Sequence, residues 1–100
     1  MRWIGLRHNG TPVLGSIGQP FLDEIYIGHA GGSRLMNQGS SRPLKVRPCP
    51  TLSGALIATT DPVIFQGAER EAWDRVRAAA RLARLGCDAY AYSMVAAGTI

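Results

Sequence analysis

Between Asp88 and Gly98 the chain carries no charged side chain, and Ser93 with the hydroxyls of Tyr90 and Tyr92 are its only polar handles there. A helix that is apolar on every side has no face to give to water, so it belongs inside a layered domain. The constraint reaches back along the chain. Gly86 offers a left-handed residue that turns the chain out of a preceding basic helix, Asp88 stands where a cap for the new helix is wanted, and Gly98 closes it. The amino end of such a helix, with unpaired N–H groups and the positive end of the dipole, is a binding edge for polar or anionic groups.

One hundred residues make one small domain, which buries about 60–70% of its unfolded surface. A content of 46% hydrophobic and 18% charged residues, with mean hydropathy near zero, is that of a globular chain expected in the cytoplasm. No apolar run approaches the roughly 20 residues of a membrane helix, so no membrane partner is expected. Cys49 and Cys87 are isolated thiols, which points to neither a disulfide framework nor a zinc site. The net charge is +4, and five of the arginines (Arg70, Arg75, Arg77, Arg81 and Arg84) lie close together. Nucleic-acid binding through them would call for interleaved aromatic residues as a stacking platform. None is interleaved with them in that way, so they read as a solvated helix face, and no nucleic-acid partner is expected. A basic balance also suits a phosphate-ester substrate.

The fold class read from the pattern is α+β. Trp3–Arg7, Val13–Ile17 and Phe21–Ile27 are expected to form an antiparallel meander, the first two joined at Asn9-Gly10, a strong hairpin signal. Residues 28 to 54 are rich in Gly, Ser, Asn and Pro, with short extended pieces only at Ser33–Leu35 and Leu44–Val46. A further strand is expected near Leu56–Thr60, followed by a brief turn that Asp61 caps and Pro62 opens. Ala72, Trp73, Val76, Ala79, Ala80 and Ala83 recur at helical spacing opposite Arg70, Asp74, Arg77, Arg81 and Arg84, which predicts a long amphipathic helix over Ala68–Leu85. A short buried helix over Ala89–Ala97 completes the order.

The run Arg84-Leu85-Gly86-Cys87-Asp88-Ala89-Tyr90-Ala91-Tyr92, with Val95-Ala96-Ala97-Gly98, resembles the Arg-x-Gly-Gly-Asp-Cys-Tyr-Ala-Tyr…Ala-Ala-Gly segment of histidinol-phosphate phosphatases in the inositol monophosphatase family. The likeness continues upstream through Pro12-Val13-Leu14-Gly15-x-Ile17-x-x-Pro20, Glu24-x-Tyr26-x-Gly28, Gly32-Ser33-Arg34-Leu35, Arg42-Pro43-Leu44-x-Val46 and Leu56-x-Ala58-Thr59-Thr60-x-Pro62-x-x-Phe65. It spans nearly the whole chain in register. Against it, Met36 to Ser41 is an apparent insertion at a surface turn, and Cys87 stands where the family has its second glycine.

The resemblance implies the central portion, residues 1–100, of a layered αβαβα phosphatase. Such an enzyme uses divalent ions, usually magnesium, to polarise the phosphate and activate water. It also implies that the metal-holding carboxylates fall before Met1 and after Ile100, so that no metal ligand and no catalytic residue is expected here and the chain alone is expected to be inactive. The implied partner is a phosphorylated small molecule, histidinol phosphate or an inositol phosphate, and a homodimer is possible. Arg84, Cys87, Asp88 and Ala89 are the implied substrate-binding residues, with the Asp88 carboxylate offered to the cationic end of histidinol. On chemistry alone two plainer roles stay open: Asp88 as a helix cap and Arg84 as a cation at a helix carboxyl end. Trp73-Asp74 imitates a family metal motif, but its position assigns Trp73 to the core and Asp74 to solvent. Thr59 and Thr60 have no base nearby, and His8 and His29 have no third ligand at metal spacing. Two rivals from other classes are a non-catalytic assembly module and a basic nucleic-acid binder.

Overall fold

The computed structural model describes all residues from Met1 to Ile100. Five strands follow one another as an antiparallel meander in spatial order: β1 (Arg2–His8), β2 (Thr11–Gln19), β3 (Glu24–His29), β4 (Gly32–Asn37) and β5 (Ser40–Pro43). Local turn chemistry sets two of the connections. Asn9 and Gly10 take φ of 48° and 79°, and Gln38 and Gly39 take 47° and 79°, the paired positive angles that match a tight hairpin to strand twist.

The register brings Trp3, Ile17, Tyr26 and Leu35 into one row across four strands. Helix α2 (Asp88–Ala96) lies on that row, with Tyr92 edge-on to Trp3 and Tyr90 edge-on to Tyr26. This contact is the core: Tyr26, Leu35, Ala89 and Ser93 are buried there. Beside it stands a second, two-stranded sheet. Strands β6 (Leu56–Thr59) and β7 (Leu82–Leu85) run parallel, and α1 (Ala68–Ala79) connects them, as a parallel pair requires.

The structure corrects three boundaries. The strand expected over Phe21–Ile27 begins at Glu24, because Pro20–Leu22 form a 3-10 turn, Asp23 turns left-handed and Phe21 points into solvent at 93% exposure. Gln19 holds that turn by accepting the Phe21 N–H. The helix expected over Ala68–Leu85 stops at Ala79. Ala80 swings to extended geometry, and the N–H groups of Arg81 and Leu82 turn to the Ala55 carbonyl, starting the ladder to β6. The residues of β7 have good helix propensity, and the parallel pairing overrides it. Within residues 28 to 54, expected to be irregular apart from short pieces at Ser33–Leu35 and Leu44–Val46, residues 32 to 43 form the full hairpin β4–β5, with the apparent insertion at its turn. Leu44 follows β5 without regular structure, though its N–H still reaches the Ser33 carbonyl.

Helix α2 is the fourth adjustment. It covers nearly the expected Ala89–Ala97 span, but only its sheet-facing side is covered. Ala89 and Ser93 are buried while Tyr92 stays 67% exposed. Only five of 100 residues are buried although 46% are hydrophobic, so most apolar side chains are left without cover by this chain.

Candidate functional site

The parallel pair sets up the site. In parallel α/β units, ligands collect beyond the carboxyl ends of the strands, and here those ends are Thr59 and Leu85. Gly86, with φ of 78°, turns the chain there, and its N–H is held by the carbonyls of Thr59 (3.3 Å) and Thr60 (3.0 Å). Two residues later α2 begins. A cleft of about 390 Å³ opens at this corner, lined among others by Thr59, Thr60, Phe65, Trp73, Asp88 and Tyr92.

Asp88 is not the cap that its position suggested. It takes φ of 49° as the first residue of α2, and no side chain caps this helix. A left-handed aspartate is tolerable but costs on the order of 1 kcal/mol. Asp88 is exposed and lines the cleft, and its carboxylate makes no hydrogen bond within the chain. The Tyr90 N–H is taken by the Cys87 carbonyl at 3.1 Å, while the Asp88 and Ala89 N–H groups have no backbone acceptor. The corner therefore presents one free carboxylate and, at Asp88, one backbone donor without a partner.

The other residues singled out in the sequence are spread more widely. Ala89 is buried at 2% exposure and lies outside the cleft lining, so the structure does not bring it to a ligand. Cys87 is an exposed thiol 3.8 Å from the Leu85 carbonyl oxygen. Arg84 lies on β7 opposite Ala58, exposed and outside the cleft lining, and because it is on a strand its reading as a helix-end cation falls. Trp73 stacks on Phe65 with ring centroids 5.5 Å apart and forms a wall of the cleft, in keeping with a packing role. Asp74 pairs with Arg70 at 3.2 Å on the solvent face. His8 is exposed on β1, and His29 accepts the Gly31 N–H at 2.9 Å in a turn. No three His, Cys, Asp or Glu side chains come together as a metal site. A hard cation needs several oxygen ligands, so the donors of this chain do not fit the divalent ion that the sequence resemblance implies.

One cluster escaped the sequence reading. The hydroxyls of Tyr26 and Tyr90 both donate to Glu24 Oε2, at 2.9 and 2.7 Å. Burial, and then the bond to Glu24, push both phenols above their ordinary value. The clamp ties β3 to the first turn of α2, two residues beyond Asp88, and so fixes the carboxylate's place at the cleft. The Glu24-x-Tyr26 spacing puts those two side chains on one strand face. Nothing local signals a partner 66 residues away.

A family model described as the inositol monophosphatase family matches residues 3–100. The bifunctional phosphatase IMPL2, chloroplastic, of Arabidopsis thaliana is 38% identical over 97 residues, which are 97% of this chain and 27% of that protein. An inositol monophosphatase from Zymomonas mobilis superposes with a TM-score of 0.87 at 33% identity, over 97% of this chain and 37% of that one. Mycobacterium tuberculosis SuhB gives 0.77 at 27% identity, over 98% and 41%. Inositol monophosphate-bound SaIMPase-II gives 0.80 at 25%, over 98% and 38%. The chain thus spans about a quarter of the curated relative's length.

Proposed function

This chain belongs to the inositol monophosphatase family, and from that premise we propose that it supplies the scaffold and substrate-facing wall of a metal-dependent phosphomonoesterase acting on histidinol phosphate. The observation that carries the substrate is the partnerless Asp88 carboxylate at the cleft. A carboxylate without an internal partner favours a cationic ligand, and histidinol has an amine and an imidazole where inositol has only hydroxyls. In this reading Asp88 takes the cationic end of the substrate. The N–H of Asp88 faces the oxygen of the leaving alcohol, Cys87 narrows the turn, and Arg84 contributes positive charge behind it.

Magnesium is the proposed ion, and when bound it would polarise the phosphate and activate water. The donors of residues 1–100 do not fit it, so its carboxylates are proposed to come from segments outside this range, and residues 1–100 form one partial domain. Inositol phosphate is the second substrate reading, favoured by the named ligand of SaIMPase-II. A cytoplasmic site of action and a homodimer also belong to the proposal.

The test is a graft. The aligned stretch of this chain replaces the matching 97 residues of the Arabidopsis relative, and phosphate release from histidinol phosphate is followed with and without magnesium. The graft is expected to turn over in a magnesium-dependent way while the 100-residue chain alone is inactive. A soluble, folded graft that releases no phosphate, or magnesium-dependent turnover by the chain alone, contradicts the reading.

A further inference from the structure

The candidate cleft is lined by two unlike sets of residues. Thr59, Thr60 and Asp88 are polar, while Ile64, Phe65, Trp73 and Val95 give it an apolar wall. Phe65 is delivered to that wall by the turn that follows β6. The Asp61 carboxylate accepts the Val63 N–H at 2.9 Å, Pro62 is buried, and the Phe65 N–H closes the turn on the Pro62 carbonyl at 3.1 Å. Val63 and Ile64 are left 68% and 60% exposed, and Phe65 is the half-buried one of the three.

Against Phe65 stands Trp73, on α1, with ring centroids 5.5 Å apart and planes 26° from parallel. Two large rings held by separate elements make a flat, preformed surface with little side-chain freedom left to lose when a ligand arrives. What suits such a surface is another flat π-system, which gains roughly 2- to 12-fold in affinity over an apolar group of equal area. A ring oxygenated at every carbon, as in inositol, would instead press hydroxyls on the wall without partners. A cleft of about 390 Å³ that joins this surface to one free carboxylate therefore fits a small ligand that carries both an aromatic ring and a cation.

We propose that Phe65, backed by Trp73, is the specificity-determining face for the imidazole of histidinol phosphate, with the ring stacked on Phe65 while Asp88 holds the amine. The two nitrogenous groups of histidinol are thereby divided between two elements: α2 takes the amine, and the turn after β6 takes the ring. The inference rests on the histidinol-phosphate reading made above and names the part of the substrate that the aromatic wall recognises.

The probe is free histidinol, added to the graft described above, so that binding is read without turnover. Stacking is expected to move its imidazole proton resonances upfield, through the ring currents of the aromatic wall. Phe65→Tyr is expected to keep that shift. Phe65→Leu and Phe65→Met, which keep apolar bulk and lose the π face, are expected to remove most of it and to weaken histidinol binding roughly 2- to 12-fold. No upfield shift with phenylalanine in place overturns the proposal, as does binding that Phe65→Leu and Phe65→Met leave intact. Equal losses in Phe65→Tyr and in the other two variants assign Phe65 to packing alone and overturn it too. A Phe65-dependent shift in a graft that releases no phosphate leaves this inference standing and sinks the proposed function. Turnover of histidinol phosphate in a graft whose histidinol binding ignores Phe65 does the reverse.

Discussion

The β1–β5 meander and the β6–α1–β7–α2 segment that follows it are built by different means. In the meander each strand pairs with its chain neighbour, and two turns use the same positive-φ pair, so local chemistry fixes the register. In the second region β6 waits for a partner 26 residues ahead, and α2 finds its place through Tyr90 and a glutamate on β3. The candidate cleft lies wholly in the second region. Its geometry depends on contacts distant in sequence, and the sharpest ways to break the comparison are substitutions at the joint between the two.

The largest effect is expected from Glu24→Ala. It strands two part-buried phenols, and at about 1–3 kcal/mol for each unsatisfied group it should cost roughly 2–6 kcal/mol in urea denaturation. Amide exchange should accelerate first in α2 and leave the β1–β2 hairpin protected. Glu24→Gln keeps an acceptor and should cost less than half as much. A uniform loss of protection would mean that the two regions are one cooperative unit.

Next comes pH. Both phenols titrate above their unfolded value near 10, so the folded state holds its protons longer than the unfolded state. The stability this contributes is fully present below pH 10 and is lost as pH rises above it. Melting temperature followed from pH 8 to 11 should fall at the alkaline end, and Tyr90→Phe should flatten the fall. An unchanged slope in that variant would separate the clamp from the titration.

At Asp88 the two regions pull apart stability and function. Asp88→Gly relieves a left-handed aspartate and is expected to stabilise the chain by up to about 1 kcal/mol, while removing the carboxylate from the cleft. A destabilised glycine variant would mean that the carboxylate has a structural partner after all. The smallest effect is expected on the outer face of α1. Arg70 and Asp74 are both about half exposed, and Asp74→Ala should change stability by less than about 0.5 kcal/mol.

The same contrast governs what could be read from the sequence. Asn9-Gly10 signalled its hairpin, and the apolar composition of α2 placed its inner side against the sheet. Gln38-Gly39 makes an equivalent turn, yet the sequence marks only an insertion at a surface turn there, because glutamine does not announce a positive φ as asparagine does. Strand β7 was invisible, since Leu-Ala-Arg-Leu continues a helical pattern and only its pairing with Leu56–Thr59 makes it a strand. Asp88 was placed correctly at the start of α2. Its freedom from capping appears only in the backbone angle. The Glu24 clamp joins residues that no window of sequence brings together.

The central claim is that a free carboxylate at the Gly86 corner selects a cationic substrate. It is tested most directly by the ratio of kcat/KM for histidinol phosphate to that for inositol monophosphate, measured in the graft before and after Asp88→Asn. Loss of a charged hydrogen bond of about 1.5–3 kcal/mol predicts a fall in that ratio of roughly 10- to 150-fold, with the inositol value nearly unchanged. An equal loss on both substrates, or none on either, would contradict the account.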